Sequence, residues 1–188
     1  MKTNWKIDHE HSELRFETDY LVISKISGYL TSFDVNFQTD DNGFKSIGQI
    51  KLTADINSLN THSPMRDAHL KNEHYFDAAR YGDILFSSTE ITEGGDELPS
   101  ELLSAEAKEF VIKGILTIKG ITKPVILSGR FGGAITEPGR KVRVGFTMST
   151  TINRIDFGVG DIVHTKAGQL LVGENVAITA NCQFVGEA

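Results

Sequence analysis

The residues of this chain that could do chemistry gather in one stretch, SLNTHSPMRDAHLKNEHYFDAARYGDILFSST, from Ser58 to Thr89. Arg66, Asp67, His69 and His74 put a guanidinium, a carboxylate and two imidazoles within nine residues. From such groups an acid–base pair, a metal site or an anion clamp can be built. The metal reading fails on spacing. Helical zinc ligands want histidines about four apart on one face, whereas His69 and His74 are five apart, roughly 140° around the axis. His9 and His11, flanked by Asp8 and Glu10, read as solvated side chains near the amino end. No metal is therefore expected. Asp67 fits a structural role best, pairing with Arg66 or accepting backbone N–H groups. A His69/Asp67 pair acting on a lipophilic substrate is the competing, enzymatic reading. Arg66 offers a planar fork of donors to a carboxylate or phosphate head, and a helix N-terminus favours anions as well.

Other catalytic patterns are missing from the sequence. Gly-x-Ser-x-Gly, a Gly-rich loop ending in Gly-Lys-Ser or Gly-Lys-Thr, and zinc-ribbon spacing do not occur. Cys182 lies in the alternating run NVAITANCQFV and reads as a small strand residue, not a reactive thiol. No catalytic residue is assigned.

The elements that must position these groups follow from periodicity. Ser63-Pro64 is a helix start, a capping serine followed by a proline suited to the first turn. The helix it opens places Met65, Ala68, His69 and Asn72 on one face, with Arg66 and Asp67 to the side. The crossing is set between strands, because the dominant period elsewhere is two. From Lys141 to Ile152, Val142, Val144, Phe146 and Met148 point one way while Lys141, Arg143 and Thr147 point the other. Similar runs hold Leu14 and Phe16; Phe33, Val35 and Phe37; Ile50 to Ile56; Ile84 and Phe86; Phe110 to Ile118; Val125 to Phe131; and Val176 to Phe184. About eight amphipathic strands predict an all-β, antiparallel sheet closed into a barrel, with a short helical crossing around residues 58–80. Asp40-Asp41-Asn42-Gly43 is a hairpin signal, and Lys119 to Pro124 breaks two strands. Glu93 to Glu109 has no steady period and reads as a mobile excursion. Asn153 to Gly160, with Arg154 and Asp156, ends a strand as a second rim or a paired turn.

At 188 residues, 39% hydrophobic and 23% charged, the chain is one domain spanning residues 1–188 that buries a substantial core. A formal charge of -6 with no basic run argues against nucleic acid as a partner. No stretch approaches a signal-peptide core or a membrane helix, which leads to the expectation of a cytoplasmic protein, although a periplasmic chain trimmed of its leader would look the same. The aromatics are 11 phenylalanines, 4 tyrosines and 1 tryptophan, mostly on the inward side of strands. An eight-stranded barrel can fill its interior or keep room for one small ligand, and periodicity alone does not decide which.

Taken in order, Trp5-Lys6-Ile7-Asp8, His11-Ser12, Ser58 to Thr61, Arg66 to Leu70, Tyr75-Phe76-Asp77, Phe86 to Thr89, Gly114 to Lys123 and Arg154 to Gly158 resemble the YceI-like family over nearly the whole chain. The resemblance implies a lipocalin-like, extended eight-stranded barrel whose apolar tunnel binds a polyisoprenoid or similar long-chain amphiphile, often as a dimer, and it brings no catalytic residues. The sequence departs from the family at Tyr20, where relatives commonly carry a histidine, and at Gly82, where they often have proline. On this reading the tail of a polyisoprenoid or fatty-acid-like lipid lies along Phe16, Phe33, Ile50, Ile84, Phe86, Ile112, Phe146 and Ile178. Arg66, His69 and Arg154 meet its head at the rim. The expected role is storage, sequestration or transport, with no cofactor, transient membrane contact and a homodimer. A barrel filled by its own side chains and serving as an interaction module is the third alternative.

Overall fold

Alternation turns into strands most cleanly at Phe33–Asp40, where Phe33, Val35, Phe37 and Thr39 are buried and each residue between them is exposed. The computed structural model describes residues 2–40, 43–94, 108–136, 138 and 141–187. In chain order the elements are β1 (Thr3–Ile7), β2 (Glu13–Tyr20), β3 (Ser24–Leu30), β4 (Phe33–Asp40), β5 (Gly43–Ile47), β6 (Lys51–Asp55), β7 (Leu59–Asn60), α1 (Pro64–Lys71), β8 (Asp83–Gly94), β9 (Lys108–Ile118), β10 (Ile121–Thr136), β11 (Val142–Asn153) and β12 (Val172–Glu187). Short 3-10 turns lie at His9–His11, Ile56–Ser58 and Arg154–Phe157.

All pairings are antiparallel, and the ring β1–β4–β6–β8–β9–β10–β11–β12 closes where β1 pairs with β12, so the barrel has eight strands. Three of them are interrupted. After the turn at His9–His11, β2 takes over from β1 along β12; β3 continues into β4; and β6 passes through Ile56–Ser58 into β7, which pairs with β3. We call the end holding Asn4↔Glu187 the lower end and the end holding Tyr20↔Val172 the upper end. At the upper end β7 pairs with β3 and not with β8, so the crossing that contains α1 covers this part of the wall. The barrel expected from the sequence is present, but β1, β3 and the short β5 and β7 were not among the strands that periodicity marked. Of the two loop expectations, Asp41 and Asn42 and residues 95–107 lie outside the described residues.

Aromatic rings crowd the interior of the lower half. Trp5 stacks on Phe37 at 6.0 Å, Phe37 meets Phe184 edge-on at 5.0 Å, and Phe146 lies against Phe37, Phe110, Phe131 and Phe184 at centroid distances of 5.2 to 6.2 Å. Trp5 donates its indole N–H to Thr39 Oγ1 at 3.0 Å, so the one polar atom of this ring is satisfied inside. Glycines make room for rings on neighbouring strands. A Cβ at Gly129 would lie 2.1 Å from Cε2 of Phe110, its register partner, and one at Gly28 would lie 2.5 Å from Phe16 Cζ.

The helix begins as expected, with Ser63 capping Arg66 N–H and Pro64 at the first position. Which side of it faces inward was left open by the sequence. Met65, Ala68 and His69 are exposed, while Arg66, Asp67 and Leu70 are half-buried. The cause lies before the helix: Asp67 Oδ1 accepts from Thr61 N at 2.8 Å and from Thr61 Oγ1 at 2.5 Å, while Arg66 Nε donates to the same hydroxyl at 2.8 Å. These bonds turn the Arg66–Asp67 side inward and the Met65 side to solvent.

Candidate functional site

Above the aromatic layer the side chains get smaller and stop meeting. An apolar cavity of about 180 Å³ opens there, against the roughly 10–15 Å³ needed to hold one water. Its walls come from β2 and β12 (Leu14, Phe16, Val176, Ile178), from β6, β8 and β9 (Leu52, Ile84, Phe86, Leu116), and from β10 and β11 (Val125, Leu127, Met148, Ile152). The crossing contributes Leu70, Tyr75 and Phe76, and the segment after β11 contributes Phe157 and Val159.

Of the eight side chains assigned to an apolar tunnel, Phe16, Ile50, Ile84, Phe86 and Ile178 line this cavity. Phe33, Ile112 and Phe146 do not. Phe33 packs in the core with its ring edge-on to His9, Ile112 is wholly buried opposite the lining residue Leu127, and Phe146 is the centre of the lower aromatic layer. The hollow is thus an upper compartment with an aromatic floor. The crossing residues Leu70, Tyr75 and Phe76 were missed as wall; the signal was three large apolar side chains in a segment otherwise read for its charges.

The three rim residues fare differently. Arg154 does touch the cavity, but it is buried, 5% exposed, and its donors are taken by backbone carbonyls. Nε bonds Gly173 O at 2.9 Å, Nη1 bonds Val159 O at 2.7 Å, and Nη2 bonds Asp161 O at 3.0 Å and Val172 O at 3.3 Å. Among the described residues it makes no ion pair. Arg66 lies off the cavity, with Nη2 donating to Thr61 O at 2.5 Å besides its Nε bond. His69 is exposed and its ring stands edge-on to Tyr75 at 5.0 Å. Asp67 is engaged with Thr61, and no hydrogen bond joins it to His69 among the described residues. Tyr20, at the family's histidine position, sits opposite Val172 and is not part of the cavity wall. The other arginine touching the cavity, Arg15, pairs with Glu17 at 3.0 Å. What the arrangement offers is hydrocarbon contact and no free charge.

The His9–His11 region is a structural knot. Asp8 caps the turn at Glu10 N, meets His11 Nδ1 at 3.1 Å and accepts from Arg143. The Arg143 guanidinium holds the Asp8 carboxyl below the usual carboxylate range, with His11 adding to the effect. Cys182 is buried, 2% exposed, and burial pushes its thiol up to about 12.

The model of the YceI-like domain matches residues 5–184. The chain belongs to the YceI-like family. A UPF0312 protein of Staphylococcus aureus strain N315 is 31% identical over 186 residues, covering 97% of each chain. Among solved structures, Burkholderia cenocepacia BcnA superimposes with a TM-score of 0.73 at 19% identity, over 94% of this chain and 98% of BcnA. A Saccharophagus degradans domain described as polyisoprenoid binding and implicated in plant cell wall breakdown gives 0.67 at 13% identity, over 96% and 97% of the two chains. At the identities of these two solved structures the likeness is one of fold.

Proposed function

We propose that this YceI-like protein binds one extended apolar chain, a polyisoprenoid or another long-chain amphiphile, in the upper compartment and does not chemically change it. The observation that carries the reading is a cavity of about 180 Å³ whose walls are hydrocarbon and whose two arginines are already committed. The polyisoprenoid-binding description of a neighbour with the same fold supports the ligand class. A tail seated here gains contact on all sides, about 0.8 kcal/mol per buried CH₂ against water. Taken from a membrane, the tail was already dry and the net gain is small, which suits a carrier that must load and release. Storage and sequestration use the same site. The ligand's source being a bilayer, contact with the membrane is transient, and a homodimer is the assembly we propose.

Because no free charge lines the compartment, selectivity rests on tail length against the aromatic floor and hardly on the head group. The test is uptake of a fluorescent long-chain fatty acid and native mass spectrometry of protein purified without detergent. We expect one bound lipid per chain. Ala180→Phe, which puts a ring into the compartment from β12, should weaken uptake about tenfold or more while the far-ultraviolet spectrum stays unchanged. Absence of any lipid with no uptake of the probe, or full uptake by a folded Ala180→Phe variant, would overturn the reading.

A further inference from the structure

The turn joining β2 to β3 carries residues that neither folding nor solubility favours there. Leu21 and Val22 have φ of 53° and 65°, and Ile23 N donates to Tyr20 O at 3.3 Å. Positive φ at both central residues is the backbone of a type I′ turn, for which Asn-Gly is the unstrained choice. A β-branched residue in that region is a genuine outlier. Leu21 is half-buried, but the strain at Val22 does not serve burial: Val22 is 67% exposed and its neighbour Ile23 85% exposed. Sequence already shows the anomaly as Leu21-Val22-Ile23, an apolar triplet at a hairpin tip where polar residues belong.

A second apolar edge lies beside it. Leu21 N donates to Leu171 O at 3.0 Å and Leu171 N donates to Val163 O at 2.8 Å, so three chain segments run side by side at the upper end. Ile162 and Val163 on the neighbouring segment are each 48% exposed. The patch is continuous with the compartment, because Val172, next to Leu171, and Thr18, two residues before Tyr20, both belong to the cavity wall. Exposed apolar groups that are strained into place and contiguous with a lipid-sized hollow point to what covers them during transfer.

We propose that this tip, Leu21-Val22-Ile23 with Ile162 and Val163, inserts into the interfacial layer of a lipid bilayer and sets the upper end of the barrel on the membrane for exchange of the bound chain. The inference rests on the lipid-binding reading above and adds the surface by which the barrel docks. Docking is driven by apolar burial, so it should occur on neutral phosphatidylcholine vesicles and respond little to salt. The mixed charges near the tip, Asp19, Lys25, Asp161 and Lys166, agree with that.

The test uses the full chain, phosphatidylcholine vesicles and the triple variant Leu21→Asn/Val22→Gly/Ile23→Ser. The variant supplies the turn residues that the backbone conformation prefers, so it should melt no lower than wild type, and vesicle co-flotation should fall about tenfold or more. Ile126→Ser, at an isoleucine 61% exposed in the side wall on β10, serves as control and should leave flotation unchanged. Uptake of a soluble fluorescent fatty acid reports on the compartment separately. Failure of that uptake by the wild type sinks the lipid-binding reading. Normal uptake with no wild-type flotation, with flotation the triple variant keeps, or with an equal loss in Ile126→Ser, sinks the docking tip. A concentration-dependent dimer lost in the triple variant, without vesicle binding, would assign the patch to a second copy of the chain and also overturn it.

Discussion

A buried guanidinium that makes no ion pair among the described residues must be stabilised by dipoles, and four backbone carbonyls do this for Arg154. Those carbonyls belong to residues 159, 161, 172 and 173, so one side chain ties both ends of the segment that leads from β11 back to β12. Arg154→Met keeps the stem and leaves the carbonyls unpaired; the expected loss is about 2–4 kcal/mol, read as a lower thermal midpoint. Arg154→Lys should recover only part of it, since an ammonium cannot reach four acceptors spread over a planar fork. A head-group role for Arg154 predicts the reverse pattern, unchanged melting and altered ligand preference. Asp8 gives a pH prediction of definite sign. Its folded pKa lies below the ordinary aspartate value of about 3.9, so its contribution is complete above that value and is lost as pH falls through the lowered folded pKa. Asp8→Asn should therefore lower stability at neutral pH and flatten the acid limb of the stability curve, and an unchanged acid limb would remove Arg143 and His11 as its partners.

At the scale of elements, the crossing shows what sequence could and could not deliver. Ser63-Pro64 announced the helix because capping is local chemistry. The face it buries was not assigned, because that face is set by Thr61, a residue outside the helix and 2% exposed, and not by the helix's own weak apolar pattern. The seven strand runs and Val125–Phe131 were legible through their period of two. β1 escaped because it is short, with one buried residue, Trp5, and β3 because Gly28 and two serines blur its alternation. The Thr61–Asp67 bonds hold the crossing over the compartment, so Asp67→Ala should cost about 1–3 kcal/mol and speed ligand release, measured by chemical denaturation and by displacement of a fluorescent fatty acid. An Asp67→Ala protein that melts normally and releases at the wild-type rate would mean the crossing is held by Leu70, Tyr75 and Phe76 alone.

Considered whole, the molecule uses both outcomes open to an eight-stranded barrel, a filled interior below and a hollow above. Alternation looks the same in both halves, which is why Phe33, Ile112 and Phe146 were assigned to a tunnel that stops short of them. The distinction lies in side-chain volume: inward positions below include Trp5, Phe37, Phe110, Phe131, Phe146 and Phe184, while those above run largely to leucine, isoleucine and valine. This division predicts unequal costs for similar truncations. Phe146→Ala removes the ring that four others touch and leaves a void inside a close-packed layer, so about 3–5 kcal/mol should be lost. Ile178→Ala enlarges a hollow that already exists and forfeits contacts on one side only, so the cost should fall at or below the low end of the usual range, about 2 kcal/mol, while long-chain uptake changes. Equilibrium denaturation of the two variants, each with fatty-acid titration, measures both quantities. If Ile178→Ala costs as much as Phe146→Ala and leaves uptake untouched, the upper half is packed like the lower one, and the barrel has no compartment to load.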